Sequence, residues 1–150
     1  MFRKIRVYAA ILVMVMAVTS WLGVLEVIAE KVTDNNYVIV RYLHGNFRCA
    51  SCLKIEKYTQ EAIDDNFSKE LQNGKLRYKV VTVEEKENAH FVKEYELYTK
   101  SVVVVLVAGG KEVKYKNLEK VWEYLGDKNK FCNYITVETM DFLNKLPGKE

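Results

Sequence analysis

The chain is poor in the residues that break or loosen a fold. It has one proline, Pro147, and seven glycines in 150 residues, which excludes a low-complexity or disordered chain. No repeat recurs at a period that would build a solenoid or propeller. A strong charge of one sign is also missing. The net +3 sits mostly at the start, where Arg3, Lys4 and Arg6 face only Glu26 in residues 1–29; the remainder holds 20 basic against 19 acidic residues. That balance leaves no positive field to attract nucleic acid, so no nucleic-acid partner is expected. No glycine-rich phosphate loop, HExxH or nucleophile-elbow pattern occurs, and no cofactor is expected.

What is present begins with a basic N-terminus followed by Val7 to Leu25, nineteen residues without a charge. Basic then apolar is the layout of an export signal, with the basic end held in the cytoplasm. The run matches the ~20 residues of a spanning helix, while Val27-Ile28-Ala29 offers a cleavage site before Glu30. Retention as a signal anchor is favoured, and both outcomes place the rest of the chain outside the cytoplasm. The domain reading is a signal or anchor segment at 1–29 and one folded domain at 30–150.

Tyr37 to Leu43 (YVIVRYL) reads as a buried central strand. From Cys49 to Gln72 there is neither Gly nor Pro. Cys52, Ile55, Thr59, Ala62, Ile63, Phe67 and Leu71 form a helical stripe, which Asn73-Gly74 ends. Leu76 to Val83 predicts a second strand. Glu85 to Leu97 predicts a short helix with Ala89, Phe91, Val92 and Tyr95 on its apolar side. Ser101 to Val107 (SVVVVLV) is the strongest strand signal, and Gly109-Gly110 turns it into Glu112 to Lys116 as a hairpin. Asn117 is placed to cap a short helix through Leu125, and a last helix is expected from Lys128 to Leu146. The order β-α-β-α-β-β-α gives an α/β fold, a central mixed sheet covered by helices on both faces.

Cys49 and Cys52 flank Ala50-Ser51 at the mouth between the first strand and the long helix. Two thiols so spaced lie within one helical turn and can bridge. A helix N-terminus favours the thiolate at Cys49, with Arg48 adding positive charge and His44 adding charge or relaying a proton. Cys52, one turn inside, is shielded. Cys49 is thus the attacking thiol and Cys52 the resolving one. A structural disulfide is the competing reading in an exported protein, but so short a closed loop stabilises little. Soft-metal binding is a second alternative, Cu(I) or a thiophilic metalloid held by Cys49, Cys52 and His44, and a non-catalytic accessory subunit that uses the pair only structurally is a third. Cys132 reads as a small buried hydrophobe, His90 as a surface residue, and the tyrosines and Trp122 as core and hairpin packing.

Apolar strand, CxxC, long helix and then KVVTVEEKENAHFVKEYEL resemble the thioredoxin-like superfamily over about Tyr37 to Leu143. HGNFRCASCLKIEKYT, VEEKENAHFVKEYELYTKSVVV and NLEKVWEYLGDK are similar to the small exported proteins of the ArsF family, labelled a nitrophenyl-compound nitroreductase subunit; the label implies reductive chemistry. The resemblance implies a thioredoxin-like fold and a protein dithiol or disulfide as partner. It puts Ser101, preceded by Lys100, where thioredoxins carry a cis-proline in the substrate loop. It puts Leu43 where they carry a buried acid. A cis bond before serine costs several kcal/mol, so a trans peptide is expected at Lys100–Ser101.

Overall fold

The structure is a computed structural model that describes residues 35–147, within a unit spanning Thr33–Glu150. Segment 1–29, with its apolar run 7–25 and the expected cleavage position before Glu30, lies outside the described residues. No helix among the described residues is long and apolar enough to cross a membrane.

Four strands form one mixed sheet in the order β2-β1-β3-β4. Strand β1 (Tyr37–His44) lies parallel to β2 (Leu76–Thr82) and antiparallel to β3 (Ser101–Ala108), which pairs antiparallel with the edge strand β4 (Lys111–Asn117). A strand flanked on both sides and covered on both faces has almost no place for a polar side chain. That is why β1 and β3 are the near-continuous apolar runs of the sequence, while β4 is exposed along most of its length. Gly109 and Gly110, at φ 58° and 77°, supply the two left-handed positions of the hairpin turn.

The pleat sends Val38, Val40, Tyr42, Val102 and Val104 to one face. There they meet Ile55, Ile63 and Phe67 from the long-helix region, and Phe131, Ile135 and Phe142 of the last helix. The long helix, α1, covers Ala50–Asn66, and its buried residues are Cys52, Ile55, Thr59, Ala62 and Ile63, the stripe expected from the sequence. The other face is covered more thinly. Phe91, Tyr95 and Leu97 pack over Ile39, Leu43, Val103, Val105 and Val107.

Four boundaries differ from expectation. The continuous helix to Gln72 is broken at Phe67, whose φ of −132° and ψ of 28° separate α1 from a short α2 (Ser68–Gln72). Burial of the Phe67 ring in the core overrides a segment that contains no breaker. Of the helix expected at 85–97 only α3, His90–Glu94, forms. Asn88 donates its side-chain amide to the Thr82 carbonyl and the Glu85 carboxylate, closing turns that compete with a helix. Asn117 caps no helix: it ends β4 opposite Val103, and Leu118 N–H continues inward to the Val102 carbonyl. Two 3-10 turns follow, Glu119–Val121 and Glu123–Gly126. The last helix, α4, spans Lys128–Leu143 and stops short of Leu146, with Asp127 capping its start.

One polar residue inside the β1 run has an explanation only in three dimensions. Arg41, with 12% of its side chain exposed, pairs with Glu112 at 2.8 Å and donates to the Tyr95 hydroxyl at 2.5 Å. Tyr95 in turn donates to Glu112 at 2.6 Å, and the guanidinium lies 4.9 Å from the Phe91 ring centre. Burial of the phenol and its bond to Glu112 push the Tyr95 hydroxyl well above the usual tyrosine range. Removing the carboxylate strands a charge and a hydroxyl. Glu112→Ala is expected to destabilise the domain by about 1–2 kcal/mol, below a fully buried pair because Glu112 stays partly in water. Urea unfolding checks it, and a loss under about 0.5 kcal/mol would contradict the assigned network.

Candidate active site

Strand β1 ends at His44, and five residues later Cys49 caps the start of α1. Cys49 has extended backbone (φ −85°, ψ 168°), and its Sγ accepts the Cys52 N–H at 3.3 Å. A sulfur thus stands where serine or aspartate commonly caps a helix. No acidic residue occupies the first turn to oppose negative charge on it. Cys49 and Cys52 are joined as a disulfide with their Cα atoms 5.0 Å apart. Cys49 is half-buried and reachable, whereas Cys52 is 0% exposed. An incoming group therefore meets the first sulfur and not the second.

Tyr42, buried beneath α1, donates its hydroxyl to the Cys52 carbonyl at 2.9 Å. It fixes the first turn against the sheet from below. Burial pushes this phenol above its ordinary range, so it is a donor at any physiological pH. The sequence reading missed Tyr42 as part of the site, although its parity with Val38 and Val40 already put it on the helix-facing side.

Arg48 and His44 form a connected group in the loop that leads from β1 into Cys49. One guanidinium nitrogen of Arg48 lies 3.3 Å from His44 Nε2, and the other is ion-paired with Glu56 on α1. His44 Nδ1 lies 2.7 Å from the Gly45 carbonyl. A carbonyl can only accept and a guanidinium can only donate, so Nδ1 carries the proton and Nε2 accepts. Both ring nitrogens of His44 are thereby committed, and Glu56 balances the charge of Arg48. Using His44 as a metal ligand or proton relay would require breaking one of those bonds. Glu56 was not singled out from the sequence, because its link to Arg48 depends on how α1 turns back past the loop.

The loop before β3 lies at the same end of the sheet. Ser101 pairs with Leu43, is buried, and donates its hydroxyl to the Thr99 carbonyl at 3.0 Å. The described residues contain no cis peptide, so the Lys100–Ser101 bond is trans. The Lys100 carbonyl accepts the Trp122 indole N–H at 2.9 Å. Lys100 and Thr99 adjoin His44, Gly45 and Glu84 around a cavity of about 300 Å³. Leu43 lines the same cavity and packs with Ile39, Val103 and Val105 on the sheet face opposite α1.

Cys132 lies on α4, free and half-buried, with its Sγ 3.7 Å from the Tyr58 carbonyl. Burial holds its thiol above the ordinary range. After reduction, iodoacetamide at pH 7 is expected to modify Cys132 at least about tenfold more slowly than Cys49, because only the thiolate reacts. Mass spectrometry over time checks this, and comparable rates would contradict the contrast. His90, beside Glu94 at 3.9 Å, is a surface residue. Among the described residues no group of three or more His, Cys, Asp or Glu is arranged to hold a metal ion.

No family model matches the chain, and no curated protein matches it. Among solved structures it is similar to a thioredoxin from Fasciola hepatica, at 17% identity over 69% of this chain and 83% of that one, with a TM-score of 0.40. It is also similar to oxidised mitochondrial thioredoxin 3 from Saccharomyces cerevisiae, at 16% identity over 65% and 82%, with a TM-score of 0.38. A thioredoxin from Thermus thermophilus shares 16% identity over 64% and 74%, at 0.35. The fold assignment stands on the chain's own topology. A parallel β1–α1–β2 crossover, an antiparallel β3–β4 hairpin and a cysteine pair opening α1 make it a thioredoxin-like α/β domain.

Proposed function

We propose that the chain is a thiol–disulfide exchange protein acting on protein dithiols or disulfides, with Cys49 as the reacting sulfur and Cys52 as the resolving one. The observation that supports this most directly is the unequal placement of the pair. The accessible sulfur caps a helix and accepts a backbone N–H, while its partner is buried one turn inside. As the disulfide, it reacts when a substrate thiolate attacks Cys49 Sγ and the Cys49–Cys52 bond breaks, leaving Cys52 as thiolate. A second substrate thiolate then displaces Cys49. The substrate loses two electrons and two protons to become a disulfide, and the domain gains both as a dithiol. Run in reverse, the same steps reduce a substrate disulfide. In this reading Arg48 and His44 are the polar group in the loop that leads into Cys49, and Lys100 and Ser101 belong to the loop against which substrate is laid.

The basic-then-apolar start of the chain supports placing the domain on the outer side of a membrane, held there by residues 7–25 or released by cleavage. The narrower likeness to the ArsF-family proteins supports reduction as the working direction, the domain serving as redox partner in a larger system. Equilibration of the purified full chain with dithiothreitol or glutathione redox buffers tests the core of the proposal. A reversible two-electron transition that disappears in Cys49→Ser is expected. A pair that cannot be reduced without unfolding the domain would overturn it and leave the structural-disulfide reading.

A further inference from the structure

The geometry points to Trp122 as a specificity-determining residue that guards a backbone acceptor at the end of the sheet from which β1 leads into Cys49; this rests on the exchange activity proposed above. A peptide containing the sulfur that reacts with Cys49 has to lay its backbone along the neighbouring loops. Extended peptides bind such places by main-chain hydrogen bonds to whatever backbone groups a sheet leaves free. Pairing of β3 with β1 ends at Ser101 opposite Leu43, so the carbonyl of Lys100 lies just beyond the ladder. It is not free. The Trp122 indole N–H takes it at 2.9 Å.

Trp122 is suited to letting go. It lies between the two 3-10 turns, more than a third exposed, and its indole N–H makes the bond at the protein surface. It also borders a cavity of about 190 Å³ lined by Tyr98, Thr99, Ser101 and Asn117. The Asn117 Oδ1 is buried with no hydrogen-bond partner, an acceptor that calls for a donor. Tyr98, at the edge of the same cavity, is 97% exposed. A peptide that displaces the indole thus gains the Lys100 carbonyl, with the Asn117 side chain lining the cavity alongside. A small disulfide with no backbone N–H gains nothing from the exchange. Trp122 therefore selects for substrates that bring enough of their own contacts to move it, namely protein chains with an extended segment at the reacting cysteine.

The test compares two substrates on the full chain recycled by dithiothreitol: insulin, a protein disulfide, and 5,5′-dithiobis(2-nitrobenzoate), which has no peptide backbone. Trp122→Phe keeps a ring and deletes the N–H. It is expected to raise the insulin rate about 2- to 10-fold, the worth of one neutral hydrogen bond, and to leave the small-disulfide rate unchanged. An unchanged or lowered ratio of the two rates overturns the inference. Independently of that variant, a Trp21→Phe, Cys52→Ser chain leaves Trp122 as the single tryptophan and can be trapped as a mixed disulfide with a cystine peptide. Its emission is expected to shift to longer wavelength as the indole loses its carbonyl partner, and unchanged emission overturns the displacement. If the wild-type chain reduces neither substrate, the exchange reading itself has failed; if it reduces both and only the contrast is missing, only the guard has.

Discussion

Replacing Cys49 by serine is expected to abolish thiol–disulfide exchange, by about a thousandfold or more in single-turnover insulin reduction. A serine hydroxyl is protonated at neutral pH and forms no disulfide, so both the attacking group and the acceptor bond disappear together. The buried partner behaves differently. In Cys52→Ser the half-buried Cys49 still attacks, because its helix-cap position and the backbone N–H donated to it are retained. What is lost is release, so a covalent complex with the substrate accumulates. Non-reducing electrophoresis and intact-mass measurement separate the two outcomes. If both variants lose activity equally and Cys52→Ser traps nothing, the division of labour between the sulfurs is wrong.

The largest expected effect on stability lies where α4 packs on the middle of α1. Phe131, in the first turn of α4, is 0% exposed and packs edge-on against Tyr58 of α1 with ring centres 5.5 Å apart. It joins the last helix to the long one over the sheet face that carries Val40 and Val104. Phe131→Ala removes a ring that no neighbour can replace and leaves a cavity. The expected cost is about 3–5 kcal/mol, read as a lower urea midpoint with an unchanged slope. A loss below about 1 kcal/mol would mean that α4 contributes little to the core. The damage should be thermodynamic only: at temperatures where the variant stays folded, exchange kinetics should match wild type, because Phe131 touches neither sulfur.

The parts of the fold legible in the sequence are those where one chemical pattern admits one structure. YVIVRYL and SVVVVLV could only be strands buried on both faces, and the spacing of Cys52, Ile55, Thr59, Ala62 and Ile63 could only be one side of a helix. Hidden features depended on a competition between local and distant contacts. Phe67 breaks the long helix because its ring gains more in the core than the backbone loses. Asn88 unwinds the start of the 85–97 segment through two side-chain bonds. Arg41 is tolerated inside a core strand because Tyr95 and Glu112, 54 and 71 positions along, converge on it.

The candidate site divides the same way. Spacing alone set which two sulfurs can bond and which of them opens the helix, because 3.6 residues per turn leaves no other arrangement for a CxxC at a strand–helix junction. The tertiary structure decided which groups surround them: Tyr42 under the first turn, Glu56 drawing Arg48 into an ion pair, and Trp122 reaching back across 22 positions to the Lys100 carbonyl. Periodicity is a property of neighbours along the chain, whereas a hydrogen bond between remote residues exists only once packing has brought its donor to its acceptor.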